Sequence, residues 1–220
     1  MIDPTQIVQA MRIWALPILF AITLHEAAHG WVASKLGDKT ALMLGRVTLN
    51  PMKHIDLFGT ILLHILLLSL GGFVFGWAKP VPVNERNLHH PKRDIAIVAL
   101  AGPIANLLMC LFWAAACKLA LILLHQEGSQ HWAGLLYMGR AGMMINAVLA
   151  VLNLLPLPPL DGGRVLTSLL PQPASSMIER LEPYGFWILL AMLALGVLHT
   201  LILPPTAFVV TTVAHWFQLR

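Results

Sequence analysis

Five stretches of this chain are long enough and apolar enough to cross the hydrocarbon core of a membrane, which takes about 20 helical residues. Residues 57–78, 95–117, 141–160 and 184–219 meet that length outright, and residues 13–34 do so apart from His25, Glu26 and His29. In lipid a chain must satisfy its own backbone hydrogen bonds. The expected fold is therefore an all-α polytopic membrane protein with four to six transmembrane helices. Composition points the same way: 58% of the 220 residues are hydrophobic and 11% charged, with a mean hydropathy of +0.76. A water-soluble fold of this size could not hide that much apolar surface.

Local signals set the expected layout. The first helix should run from residue 7 or 12 to residue 36, where Gly37-Asp38 supplies a terminating glycine. Residues 41–49 carry Val, Thr and Leu around Gly45 and read as a short β-strand. Residues 78–84 place prolines at alternate positions, as an edge strand or extended loop tolerates. Helices are expected over 94–124 and 135–155, the second dissolving into LPLPPLDGG at residues 155–163. The last apolar stretch should break into two helices at Pro204-Pro205.

Lys35, Lys39, Arg46 and Lys53 precede residues 57–78, and Lys79, Arg86, Lys92 and Arg93 follow them. A full crossing would put one basic cluster outside, against the bias of Lys and Arg toward the cytoplasmic side. Residues 57–78 are therefore expected to form a re-entrant or partly inserted hairpin. On that layout the ends of the first helix and of helix 135–155 meet near the cytoplasmic face.

The net charge of +4 and pI near 9.4 do not imply nucleic acid, because the basic residues flank apolar stretches and form no stripe. Cys110 and Cys117 lie seven apart in one apolar segment and read as packed hydrophobes. Trp14, Trp132 and Trp216 suit interfacial anchoring, and Lys118 and Arg140 can snorkel to an interface. No repeat or separate soluble appendage is visible, so residues 1–220 read as a single membrane domain with a core over 12–170 and C-terminal helices over 184–219. Homo-oligomerisation stays open.

The chemistry gathers at HEAAH, residues 25–29. Positions i and i+4 share a helix face, so His25 and His29 can bind one Zn²⁺ while Glu26 reaches a metal-bound water as general base. Ionisable groups in lipid cost roughly 2.5–3.5 kcal/mol each, so three within a turn and a half call for a shared purpose. Counting about 1.5 Å per residue back from the helix end places them on the order of 10–17 Å below the surface. A catalytic zinc takes a third protein ligand. Asp161 is the best candidate, since it follows a proline-interrupted apolar run and precedes Gly162 and Gly163, which allow close backbone approach. His54 and His64 are rivals.

HEAAH, LNPMKHIDLFGT (49–60), AGPIANL (101–107) and NLLPLPPLDGGRVL (153–166) together resemble the site-2 protease family of intramembrane zinc metalloproteases, over about two-thirds of the chain. The resemblance implies one zinc per chain with Asp161 as third ligand. It also implies that Asn106 and Asn153 lie near the substrate or its oxyanion, that the active site faces the cytoplasm, and that substrates are cleaved within or near a membrane helix. The usual helix before the metal-binding one, and PDZ or CBS domains, are missing from the pattern, as in the compact branch of the family. That form points to a bacterial or archaeal plasma membrane. The alternative is a zinc-binding transporter or silent scaffold, which would spread further acidic or His ligands along a path across the bilayer.

Overall fold

The computed structural model describes residues 4–54, 79–127 and 132–219, and the expected hairpin at 57–78, with His64, lies outside them. Helix α1 (Pro4–Lys35) is followed by a single turn, α2 (Thr40–Met43). Then come α3 (Pro91–Glu127) and α4 (Ala133–Asn153), followed by the shorter α5 (Asp161–Leu169), α6 (Ala174–Glu179) and α7 (Gly185–Ala194), and finally α8 (Val197–Trp216). Among the described residues, four helices are long and apolar enough to cross a membrane: Val8–Lys35, Pro91–Gln126, Ala133–Asn153 and Val197–Trp216. The protein is a multi-pass membrane protein.

Helix α3 is the centre of the bundle, packing on α4, α1 and α5, while α8 lies against α4. Its contact with α4 is built on small residues, as close approach of membrane helices requires. A Cβ on Gly142 would come within 2.2 Å of the Trp113 ring, and one on Gly139 within 2.5 Å of Cys117 Sγ. Cys110, Trp113, Ala114, Cys117, Met143, Ala147 and Val213 form the resulting core. The opposite faces carry exposed Trp31, Leu108, Phe112 and Phe208, which is the pattern of helices whose outer surface meets lipid. Both cysteines are free and buried.

At the other end of the bundle, the C-terminus of α1 is tied to the chain entering α3. Gly37 takes a φ of +115°, and the Leu36 carbonyl accepts a hydrogen bond from the His89 amide at 2.9 Å. Asp38, fully buried, accepts from Thr40, from the Asn84 amide at 2.7 Å and from Asn87 Nδ2 at 3.0 Å. Burial alone would raise this carboxyl's pKa, but hydrogen bonds from Thr40, Asn87 and Asn84 hold it below the usual carboxylate range. Ala33, Leu88, Ile95 and Val98 pack together beneath this junction.

Two expectations need correction. No β-strand occurs among the described residues. In 41–49 the chain instead turns through α2 and bends at Gly45, with the Arg46 amide bonding back to the Ala41 carbonyl at 2.9 Å. Residues 79–84 are irregular, and their amides are spent locally: Lys79 on the His54 carbonyl, Val81 on Glu26 and Asn84 on Asp38. β-Propensity takes effect only where a pleated partner is present to pack against. The C-terminal break also differs, falling at Gly196, whose φ is +73°, while Pro204 and Pro205 lie inside α8. Within a bundle, the backbone groups that a proline frees can be satisfied again by neighbours, whereas Gly196 alone reaches the left-handed conformation at no steric cost.

Candidate metal centre and active site

His25 and His29 stand one turn apart on α1 and project into the bundle toward α3. Their rings meet nearly edge to face, at an interplanar angle of 87°. Each ring is oriented from behind by a group on α3. His29 Nδ1 is 2.7 Å from the Val98 carbonyl, and because a carbonyl only accepts, this nitrogen carries the proton. His25 Nδ1 is 2.7 Å from Asn106 Oδ1 and donates in the same way. Both Nε2 atoms are left as bare lone pairs. They lie 3.1 Å apart.

Space for this arrangement comes from Gly102 on α3. A Cβ there would sit 2.5 Å from both His29 Nε2 and His25 Cε1. Pro103 follows it within the helix. The AGP step therefore lets the backbone of α3 approach the two imidazoles directly.

Asp161 completes the group from a distant part of the chain. Helix α4 ends at Asn153, the prolines of 155–160 carry the chain through a turn, and Asp161 is the first residue of α5. A carboxylate is favoured there by the unpaired amides of a helix start. Gly162 and Gly163 press that start onto the preceding turn: a Cβ on Gly162 would meet the Leu155 carbonyl at 2.3 Å, and one on Gly163 the Pro158 nitrogen at 2.4 Å. Asp161 Oδ2 thereby comes within 3.2 Å of His25 Nε2 and 3.3 Å of His29 Nε2, with its side chain only 12% exposed. It has no other hydrogen-bond partner among the described residues.

Three acceptor atoms thus converge with no donor between them. Left alone they would repel, and their burial would make that repulsion costly. A cation at their centre removes the conflict, and two imidazole nitrogens with one carboxylate oxygen are the donor set of catalytic zinc, which leaves a fourth position open. The residues fit the ion. Among the described residues these three form the single such cluster of His, Cys, Asp and Glu.

Glu26 lies beside His25, and its Oε2 accepts a hydrogen bond from the Val81 amide at 2.8 Å. Pro80 and Pro82 on either side of Val81 have no amide hydrogen. Gly30, one helical turn further along α1, makes room for Val81, Ala41 and Val47 to pack on that face.

The remaining sequence candidates are placed differently. Asn106 lies behind His25 with its amide engaged: Nδ2 donates to the Ala21 carbonyl at 3.1 Å and to Asn146 Oδ1 at 3.0 Å. Asn153 donates to Leu149 on its own helix at 3.0 Å. His54 is buried, with Nε2 3.1 Å from the Thr48 carbonyl, and it is not part of the three-residue cluster. Sequence reasoning passed over Gly102, Asn146 and the Val81 amide. The AGP in AGPIANL was a signal for the first, and nothing local marked the other two.

A family model for peptidase family M50 matches residues 118–196. "Putative zinc metalloprotease YwhC" of Bacillus subtilis is 40% identical over 181 residues, covering 80% of this chain and 78% of that protein. "Putative zinc metalloprotease Rip2" of Mycolicibacterium smegmatis is 30% identical over 176 residues, covering 80% of this chain and 64% of that protein. The Mycobacterium tuberculosis protein of the same name is 32% identical over 148 residues, covering 67% of this chain and 53% of its own length. No solved structure matches.

Proposed function

The chain belongs to peptidase family M50, the site-2 protease family, and is an intramembrane zinc metalloprotease, and on that premise we propose that His25, His29 and Asp161 hold its single zinc while Glu26 is the general base. The observation that carries this reading is the triangle of bare acceptor atoms at 3.1, 3.2 and 3.3 Å. Held by His25, His29 and Asp161, zinc would supply Lewis acidity here, polarising a substrate carbonyl and acidifying a water. Glu26 takes a proton from that water at a carboxylate oxygen and later delivers it to the leaving amine. The Val81 amide, holding Oε2 at 2.8 Å, keeps the carboxylate facing the reaction and spares it the mobility of a free side chain.

The substrate we infer is a membrane-protein segment that crosses or borders the bilayer. A helical substrate hides its carbonyls in its own hydrogen bonds, so a few residues must unwind before attack, and the enzyme must offer partners for the freed groups. The irregular segment 79–84, beside Glu26, is the surface best placed to meet such a strand, and it would do so through its carbonyls, because the Lys79, Val81 and Asn84 amides are already committed and Pro80 and Pro82 have none. Asn106 is a positioning residue in this reading, because both hydrogens of its amide are already committed. Asn153 is assigned to the end of α4 and has no step in the reaction.

We read the active site as facing the cytoplasm. The end of α1 and the start of α3 lie together at the site's end of the bundle, and that end carries Lys35, Lys39, Arg46, Lys53, Lys79, Arg86, Lys92 and Arg93. The chain works as one membrane-embedded protease domain in a bacterial plasma membrane.

The test uses purified protein with detergent-solubilised single-span peptides, with and without a chelator, and maps products by mass. Cleavage should require zinc. Glu26→Gln should lower turnover by about 10²–10⁴-fold while one zinc per chain stays bound; retained turnover would remove Glu26 as the base.

A further inference from the structure

We propose that Asn146 is a positioning residue for the zinc site, acting on His25 through Asn106; this rests on the reading of His25 as a ligand. Asn146 lies on α4, fully buried, and its hydrogen bonds go to Asn106 and Gly142, not to an imidazole. Its role follows from hydrogen-bond polarity along a chain of acceptor-only and donor-only contacts. The Gly142 carbonyl can only accept, so the amide group that meets it at 2.9 Å is Asn146 Nδ2. Asn146 Oδ1 is thereby turned to α3, where it accepts from Asn106 Nδ2 at 3.0 Å.

Asn106 Nδ2 has two hydrogens, and the Ala21 carbonyl takes the other at 3.1 Å. With both donors committed, Asn106 presents Oδ1 to His25 Nδ1 at 2.7 Å. That contact selects the tautomer in which His25 Nε2 is bare and aimed at Asp161. A carbonyl on α4 thus sets the orientation of a metal-facing nitrogen on α1, through two buried amides on α4 and α3.

An interhelical cross-link serving stability alone would work with any donor and acceptor pair. This one runs in a single direction, and each step determines which end of the next group faces inward. Without the Asn146 acceptor, one hydrogen of the fully buried Asn106 amide is left unpaired, and the amide is held by Ala21 alone. A protonated aspartic acid at the same position keeps the pattern, with its hydroxyl donating to Gly142 and its carbonyl accepting from Asn106. Leucine keeps the bulk and loses both functions.

The experiment measures zinc affinity of the full chain by chelator competition on monodisperse, detergent-purified protein, for the parent, His25→Ala, Asn146→Leu, Asn146→Ala and Asn146→Asp. Loss of a group behind a metal ligand weakens metal binding by about 10–100-fold, and the Ala21 contact puts the expectation for Asn146→Leu and Asn146→Ala near the lower end. Asn146→Asp should stay within about threefold of the parent. In an Asn106→Leu background, Asn146→Leu should add no further loss, since Asn146 acts only through Asn106. Parental affinity in Asn146→Leu or Asn146→Ala, an Asp variant as weak as the Leu variant, or additive losses in the double variant would each overturn the proposal. If Asn146→Leu fails to fold, Asn146→Ala and the Asp variant still decide it. A parent that binds no zinc, or a His25→Ala variant that binds as the parent does, would overturn the site itself. That outcome is distinct from an intact site indifferent to Asn146.

Discussion

Gly102 and Gly142 both open a gap between packed helices, and the two gaps are filled in opposite ways. At Gly142 the indole of Trp113 moves in, and the side chains around it, Cys110, Cys117 and Met143, are apolar or weakly polar. At Gly102 two imidazoles move in, and their bare nitrogens meet a carboxylate. The first region calls for no ion, because dispersion and close packing hold it together. The second is complete only with a cation. Identical local devices therefore give an apolar core at one level of the bundle and, on the proposed reading, a metal centre at another, and the filling side chains decide which.

Adding one methyl group at each glycine breaks the comparison most directly. Gly102→Ala should cut zinc affinity by about 100-fold, the upper end of what lost ligand orientation costs, while the fold is retained. Alanine is otherwise the better helix former by about 0.5–1 kcal/mol. Metal content and thermal unfolding, measured on the same sample, check both halves. Gly142→Ala should do the reverse, costing about 1–3 kcal/mol through overpacking against Trp113, while zinc affinity, which Gly142 reaches only through its carbonyl and Asn146, falls by no more than about tenfold. If both variants lost metal equally, the two regions would not be separable.

Smaller changes sharpen the picture on the site's side. Val81→Pro deletes the amide that holds Glu26 and extends a proline run that the backbone already tolerates. Turnover should fall about tenfold, less than the roughly 10²–10⁴-fold expected from loss of the base itself, with zinc content unchanged. Val81→Ala keeps the amide and should behave as the parent. Equal losses in the two would assign the effect to packing.

Asp38→Ala tests the junction that brings 84–90 against the end of α1 and should cost about 1 kcal/mol near neutral pH. The native carboxyl titrates below its usual range. Its contribution is therefore full above about pH 4 and fades as the pH falls through the lower native value. Melting temperatures of parent and variant should converge on acidification, and a gap that stays constant would show that the charge is not what matters.

Much of the site can be read along the chain because its parts are local. HEAAH puts two imidazoles and a carboxylate within a turn and a half, and helical periodicity alone aims His25 and His29 at one point. The spans could be read for a similar reason, since length and apolarity within one helix suffice. The strand expected over 41–49 was misread because Val and Thr favour a sheet only beside another strand, and here the chain turns back on itself through α2; at 78–84 the extended-loop alternative holds over residues 79–84, whose Val81 and Asn84 amides go to Glu26 and Asp38. The break at Pro204-Pro205 was misread because a bundle can absorb the backbone groups that proline frees, while Gly196 supplies the actual turn.

Local periodicity thus accounts for which residues can bind a metal and for the helix that carries them. It does not say which nitrogen of each ring faces the ion. That choice belongs to Val98 and Asn106, which lie 69 and 81 positions away from the imidazoles they orient, and to Asn146 behind them. A tautomer is set by whatever acceptor sits opposite the other nitrogen, and here those acceptors arrive only when α3 and α4 close on α1.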